Sequence, residues 1–206
     1  VWLDFAGSGP QVKGNMNNSF AGLQASVLFA LKVLIDPDGP TNHGMLEPVH
    51  ITAPEASVVN ASFPAATAAR AQTCQRIIDA ILGALAPAVP ERVIAASNGA
   101  NGVATFSGTG PDGRYYLYME TIGGGAGARS YKDGTDGIQV HVTNTSNLPV
   151  EALENEYPLL VERYELINDS GGAGTWRGGL GLRRVYRSIN HTVTFSGQGE
   201  RAVNPP

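Results

Sequence analysis

The residues best suited to chemistry fall in two polar runs and two glycine-rich loops. Glu120-Thr121-Ile122-Gly123-Gly124-Gly125-Ala126-Gly127-Ala128 joins a carboxylate to backbone almost free of side chains. Consecutive glycines let amide N–H groups crowd around an anion or a developing oxyanion. They serve a tight turn between strands equally well. Gly123, Gly125 and Ala128 also have the G-x-G-x-x-A spacing of a dinucleotide loop, which should open a helix. The chain instead continues into the polar, turn-rich Arg129-Ser130-Tyr131-Lys132-Asp133-Gly134, so a dinucleotide fold is not expected here.

The second run is His141-Val142-Thr143-Asn144-Thr145-Ser146-Asn147-Leu148-Pro149-Val150-Glu151. Read as the end of a strand, it puts His141 and Thr143 on one face, with Asn144, Thr145 and Asn147 on the loop beyond. Neutral donors and acceptors there could grip an amide or a carboxylate. Asn and Thr are equally at home in a turn capped by side chains. A further loop, Asp169-Ser170-Gly171-Gly172-Ala173-Gly174-Thr175-Trp176-Arg177-Gly178-Gly179, ends on a positive charge and also reads as a wide connection between strands.

Other chemistries find no support in the spacing. The histidines His43, His50, His141 and His191 form no metal-binding pattern, so a metal site built wholly from this chain is not expected. No serine occupies a G-x-S-x-G elbow, and Cys74 lies within a helical stripe, so no nucleophile has an identifiable base.

These segments need a scaffold, and the hydrophobic pattern outlines one. Phe20, Leu23, Val27, Leu31 and Leu34 recur at helical spacing over residues 20–35, and Asp36-Pro37-Asp38-Gly39-Pro40 stops the run. A second helix is expected over about residues 65–86, with Cys74, Ile77, Ile78, Ile81, Leu82 and Leu85 on its buried stripe. Residues 1–5 and 49–53 read as short strands. The second half reads as strands at 115–119, 138–143, 159–166, 182–186 and 191–195, rich in β-branched and aromatic residues and bounded by Gly, Asp or Asn. The expected class is α+β, with two buried helices in the first half and a β-rich second half carrying Gly-rich loops. The whole of 1–206 is expected to form a single domain.

Composition limits the partners. The net charge of -4 gives no basic field for nucleic acid or anionic membranes. Charged residues make up only 16%, against a usual share of about 25%, which suggests a surface that contacts another chain. A single cysteine excludes an intramolecular disulfide, and no signal segment or membrane span is evident, so a cytoplasmic setting is expected. The Asn-X-Ser/Thr triplets at Asn60 and Asn144 are then chance. The opening on Val1-Trp2-Leu3-Asp4-Phe5 reads as strand and as part of a longer protein.

Several of these stretches, in collinear order, resemble the hydantoinase B/oxoprolinase family. They are Asp4-Phe5-Ala6-Gly7-Ser8-Gly9-Pro10-Gln11-Val12-Lys13-Gly14, Thr73-Cys74-Gln75-Arg76-Ile77-Ile78-Asp79 with Gly83-Ala84-Leu85-Ala86, and Pro90-Glu91-Arg92-Val93. The runs from Glu120 and from His141 follow, then Val161-Glu162-Arg163-Tyr164-Glu165-Leu166 and the loop from Asp169 to Gly179.

The resemblance implies a β-type subunit working beside a hydantoinase A-type ATP-binding partner in a hetero-oligomer. In N-methylhydantoinase, 5-oxoprolinase and caprolactamase types, the partner would phosphorylate the amide oxygen of a small cyclic amide. This type of subunit would then direct water onto the activated carbon. A Walker-type phosphate loop is not found in the chain, which agrees with ATP being bound by the partner. The family carries a His- and Asp-rich metal motif upstream of Asp4 and a Gly-rich segment beyond Arg201. A divalent metal is thus expected in the intact subunit with ligands outside this chain, and the isolated chain is expected to be inactive.

Within that frame His141, Asn144 and Glu151 are the candidate catalytic residues, and Glu120, Gly123, Gly124, Gly125, Thr143 and Asn147 the candidate substrate-binding ones. Related acetone and acetophenone carboxylases leave a ketone carboxylase subunit as an alternative. A non-catalytic partner-binding module is the alternative of another class.

Overall fold

The computed structural model describes residues 1–99 and 101–200; Ala100 and residues 201–206, Arg201 among them, lie outside the described residues. The chain divides into two compact units, Val1–Val93 and Ile94–Pro206. Among the described residues there are three α-helices and seven strands, an α+β chain with the long helices in its first half.

In the first unit, β1 (Trp2–Asp4) pairs in parallel with β2 (His50–Thr52), and Leu3 lies opposite Ile51. Helix α1 spans Phe20–Ile35 and is capped by Ser19, whose hydroxyl accepts from the Gly22 amide at 3.3 Å. Its stripe buries Leu23, Val27, Ala30, Leu31 and Leu34, as the spacing predicts, while Phe20 stays partly exposed. The stop follows from Asp36, whose carboxylate accepts the Gly39 amide at 3.0 Å and folds the Asp-Pro-Asp-Gly segment back.

Helix α2, Arg70–Leu85, packs on α1. It starts later than the expected residue 65. The Ala66 carbonyl accepts from Asn17 Nδ2 at 3.0 Å and the Ala69 amide donates to the Asn15 carbonyl at 2.9 Å, so tertiary bonds hold 65–69 as irregular chain. The buried stripe is also rotated from the expected one. Ile77, Ile78, Ile81 and Leu82 are buried together with Gln72 and Gln75, whereas Cys74 and Leu85 are half-buried.

In the second unit, β3 (Gly102–Thr109) is the centre of an antiparallel sheet ordered β4-β3-β7, with β4 at Tyr115–Ile122 and β7 at Val193–Gln198. β5 (Leu159–Leu166) and β6 (Leu182–Ser188) form a separate hairpin. Between them lies the short helix α3, Val150–Glu156. Ala104, Phe106, Tyr118, Leu153 and Leu159 form the core, with Tyr157, Val161 and Tyr186 packed against it.

Three features here depart from the sequence reading. β3 carries two glycines and three hydroxyl residues among eight positions, which hides it as a strand. Gly108 is required there, because a Cβ would come within 2.9 Å of the Thr192 carbonyl. α3 falls where a loop was expected, started by Pro149 and favoured by its Glu and Ala content. The expected strand at 138–143 does not form. Ile138 makes one bridge to Gly124, and the chain then turns at His141, which has φ of 52°. No neighbouring strand reaches this segment, and its Thr and Asn side chains take over the hydrogen bonding. Among the described residues no helix is long and apolar enough to cross a membrane.

Candidate functional site

β4 alternates cleanly, so Tyr116, Tyr118 and Glu120 share the inward face while Tyr115, Leu117 and Met119 face solvent. A carboxylate on an inward face needs compensation. Arg184 on β6 supplies it, its Nη1 donating to Glu120 Oε1 at 3.1 Å and Oε2 at 2.9 Å. The side chains of Arg184 and Glu120 are 0% and 6% exposed, so this is a buried ion pair. The Tyr186 hydroxyl also donates to Glu120 Oε1, and Asn147 Nδ2 donates to Oε2 at 2.9 Å. Every oxygen of the Glu120 carboxylate is thereby engaged. Burial, and next the adjacent Glu120 carboxylate, push the Tyr118 phenol well above its ordinary value of 10.0.

The same network holds the polar run. Arg184 Nη2 donates to the Leu148 carbonyl at 3.0 Å, and Asn147 Nδ2 also donates to the Thr121 carbonyl at 2.9 Å. The Tyr164 hydroxyl donates to Asn147 Oδ1 at 2.9 Å, and the Arg184 guanidinium lies 4.7 Å from the Tyr164 ring centroid. Thr145 and Thr121 hydroxyls meet at 2.6 Å, and Thr143 donates to the Asn101 side chain. Of the candidate residues, Glu120 and Asn147 are thus joined directly and Thr143 is tied down nearby in sequence. His141 is half-buried, Asn144 is exposed, and Glu151 is exposed in the first turn of α3.

The glycine loop is shaped by close backbone approach. The Gly124 amide donates to the Ile138 carbonyl at 3.1 Å and the Ala126 amide to Thr135 at 3.0 Å. A Cβ on Gly125 would overlap the Gly179 carbonyl, and one on Gly127 the Ala95 carbonyl. A Cβ on Gly123 would come within 2.9 Å of the Ile138 backbone. Asp136 closes the second loop onto the first. Its carboxylate accepts from the Leu180 amide at 2.7 Å and from Arg177 Nη2 at 3.1 Å, which holds it below the usual 3.8.

These segments enclose a cleft of about 470 Å³, lined by 95–98, by Gly124 to Ala128 and by the 170–181 loop with Trp176. Among the described residues no group of three or more His, Cys, Asp or Glu is placed to hold a metal ion.

Sequence reasoning missed Arg184, Tyr186 and Tyr164. The signal was present in part: Arg184 and Tyr186 alternate on one face of a strand, and a carboxylate facing inward on β4 demands a cation.

The family model for hydantoinase B/oxoprolinase matches residues 1–206. The chain belongs to the hydantoinase B/oxoprolinase family. Among its relatives, an uncharacterized protein of Methanocaldococcus jannaschii is 46% identical over 191 residues, covering 92% of this chain and 33% of that protein. 5-oxoprolinase 1 of Arabidopsis thaliana is 38% identical over 99% of this chain and 15% of the enzyme. Caprolactamase subunit beta of Pseudomonas jessenii is 34% identical over 89% of this chain and 33% of the subunit. The crystal structure of that ATP-dependent caprolactamase superimposes with a TM-score of 0.76 and 28% identity over 92% of this chain and 34% of the solved one. The hydantoinase B/oxoprolinase chain described here therefore spans a third or less of each of these proteins.

Proposed function

We propose that this chain is part of the β-type subunit of an ATP-dependent cyclic amide hydrolase of the hydantoinase and 5-oxoprolinase type, acting in the cytoplasm with an ATP-binding partner subunit. The observation that carries the reading is the near-complete match of the chain to relatives named for cyclic amides, 5-oxoprolinase and caprolactamase. The partner transfers the γ-phosphoryl group of ATP to the amide oxygen and releases ADP. Water then adds to the carbon, the ring C–N bond breaks, the nitrogen leaves protonated as the amine, and hydrolysis releases inorganic phosphate with the former amide oxygen.

The residues of this chain divide that work by their surroundings. Glu120 has its oxygens filled by Arg184, Tyr186 and Asn147, so it positions the 141–149 segment. Proton handling falls to the half-buried imidazole of His141 and to the exposed Glu151 carboxylate. The exposed amide of Asn144 offers a donor to the substrate oxygen.

The test replaces the homologous segment of caprolactamase subunit beta with this chain and measures ATP hydrolysis and ring opening together. Ring opening coupled to ATP is expected, with a loss of about 10²-fold or more in kcat for His141→Ala. A chimera that binds its partner yet leaves ATP turnover unchanged points to a partner-binding module instead. Full activity in both His141→Ala and Asn144→Ala removes those residues from the chemistry.

A further inference from the structure

We infer that the outer face of the β4-β3-β7 sheet is an internal packing surface, covered in a subunit of family length by an apolar layer of the polypeptide outside these 206 residues. The inference rests on family membership and on the sheet itself, so it stands apart from the proposed reaction.

An antiparallel sheet with one face in water alternates apolar-in and polar-out along each strand. β4 does not. Its inward face carries Tyr116, Tyr118 and Glu120, yet its outward face carries Tyr115, Leu117 and Met119, which are 71%, 59% and 65% exposed. The continuous register on β3 fills the rest of the outer face with Ser and Thr residues, Val103 and Gln198. Across all three strands the one charged residue is Glu120, and it faces inward onto Arg184. That is the composition of a sheet buried on both faces.

The β5-β6 hairpin of the same unit shows how a solvated face is built here. Its outer side pairs Arg183 with Glu165 and Arg187 with Glu162, both at 3.1 Å, with side chains between 42% and 63% exposed. β4 is also a sheet edge among the described residues. It carries no proline, bulge or outward charge of the kind that guards a free edge against stray pairing.

The size of the face selects what covers it. With strands about 4.8 Å apart and about 3.3 Å per residue, the three strands present a face of about 350 Å². A stable complex between separate chains buries about 800 Å² on each side, so this face alone holds neither a second copy nor a separate subunit. A layer tethered in the same polypeptide meets no such threshold, because its docking costs no free translation or rotation. Relatives of the family have the polypeptide for it: the match spans 33% of the Methanocaldococcus jannaschii protein and 33% of caprolactamase subunit beta. The layer should be apolar and uncharged where it meets Leu117.

Met119 is the probe, because peroxide converts an exposed thioether to the sulfoxide and reaches a covered one slowly. Its oxidation is followed by peptide mass spectrometry in the 206-residue chain, in that chain in urea, and in the folded caprolactamase chimera without its ATP-binding partner. Met119 should react in the folded chain within about twofold of its rate in urea, and in the chimera at least about tenfold more slowly. Leu117→Lys should leave the urea midpoint of the 206-residue chain unchanged, followed in a Trp2→Phe background in which Trp176 is the sole tryptophan. In the chimera the same substitution should return Met119 to its fast rate, since an apolar layer does not accept an unpaired charge.

A slow Met119 in the folded chain at every concentration overturns the inference, because the face is then already covered. Equal rates in the chain and the folded chimera overturn it too, as does a Leu117→Lys chimera that keeps Met119 slow. Protection that appears only when the ATP-binding partner is added overturns it in favour of that subunit. Protection of the 206-residue chain that grows with its concentration overturns it in favour of a second copy.

Discussion

Replacing Arg184 by leucine should uncover how much of the second unit depends on one buried charge pair. The guanidinium is 0% exposed and gives Glu120 two hydrogen bonds at 3.1 and 2.9 Å, plus one to the Leu148 carbonyl at 3.0 Å. Without it the Glu120 carboxylate, 6% exposed, keeps only Tyr186 and Asn147 as donors. Leaving one member of a buried pair uncompensated costs about 3–5 kcal/mol. That is a large share of a domain stability of about 5–15 kcal/mol. With a urea dependence of about 1–3 kcal/mol per molar, the midpoint should fall by more than about 1 M. Glu120→Gln should cost a similar amount, because it leaves the guanidinium uncompensated.

The decisive quantity is the double variant. With both charges gone, the loss should be smaller than the sum of the singles by about 2 kcal/mol or more, since residues in one network couple by about 0.5–3 kcal/mol. The assay is urea unfolding in a Trp2→Phe background, where the fluorescence of Trp176 reports on the second unit. Single variants within about 0.5 kcal/mol of the parent, or strictly additive losses, would refute the claim that this pair organises the unit.

Three further outcomes follow from the same packing. Gly125→Ala should prevent native folding of the second unit, because its Cβ overlaps the Gly179 carbonyl; an unchanged hydrogen-exchange pattern would contradict this. Asp136 is held below its ordinary 3.8 by the Leu180 amide and by Arg177, so its contribution is present above about that pH and is lost as pH falls through the lowered value. The acid limb of a urea-midpoint series should therefore flatten in Asp136→Asn. Asn17→Ala should lower the melting temperature of the first unit, since buried Asn17 bridges Val12, Gly14 and Ala66, and each buried group left unpaired costs about 1–3 kcal/mol.

Much of the fold was legible in the sequence, and the reasons differ by element. α1 was read to its ends because an uninterrupted apolar stripe is followed by an Asp-Pro-Asp-Gly stop, both local signals. β5 was read in full for a similar reason, an aromatic and β-branched run between turn residues. β3 was missed because its glycines answer to Thr192 and to the neighbouring strands, which are distant in sequence. The strand expected at 138–143 failed in the converse way, as good β-propensity found no partner strand.

The candidate site shows the same division. The density of polar residues at 141–151 marked the segment, and Glu120 stood out beside its glycines. What the pattern could not disclose is that Glu120 is matched by Arg184, 64 residues away, and that Gly124 and Gly125 meet Asn98 and Gly179. Those pairings exist only through long-range register.

The most direct test of the proposed activity is isotopic. A caprolactam or hydantoin labelled with ¹⁸O at the ring carbonyl is turned over by the caprolactamase chimera that carries this chain, with its ATP-binding partner present. The account predicts ring opening in step with ATP hydrolysis, and ¹⁸O delivered into inorganic phosphate. Ring opening without ATP, phosphate free of label, or ATP use that responds only to a ketone with bicarbonate would contradict it, the last in favour of a carboxylase.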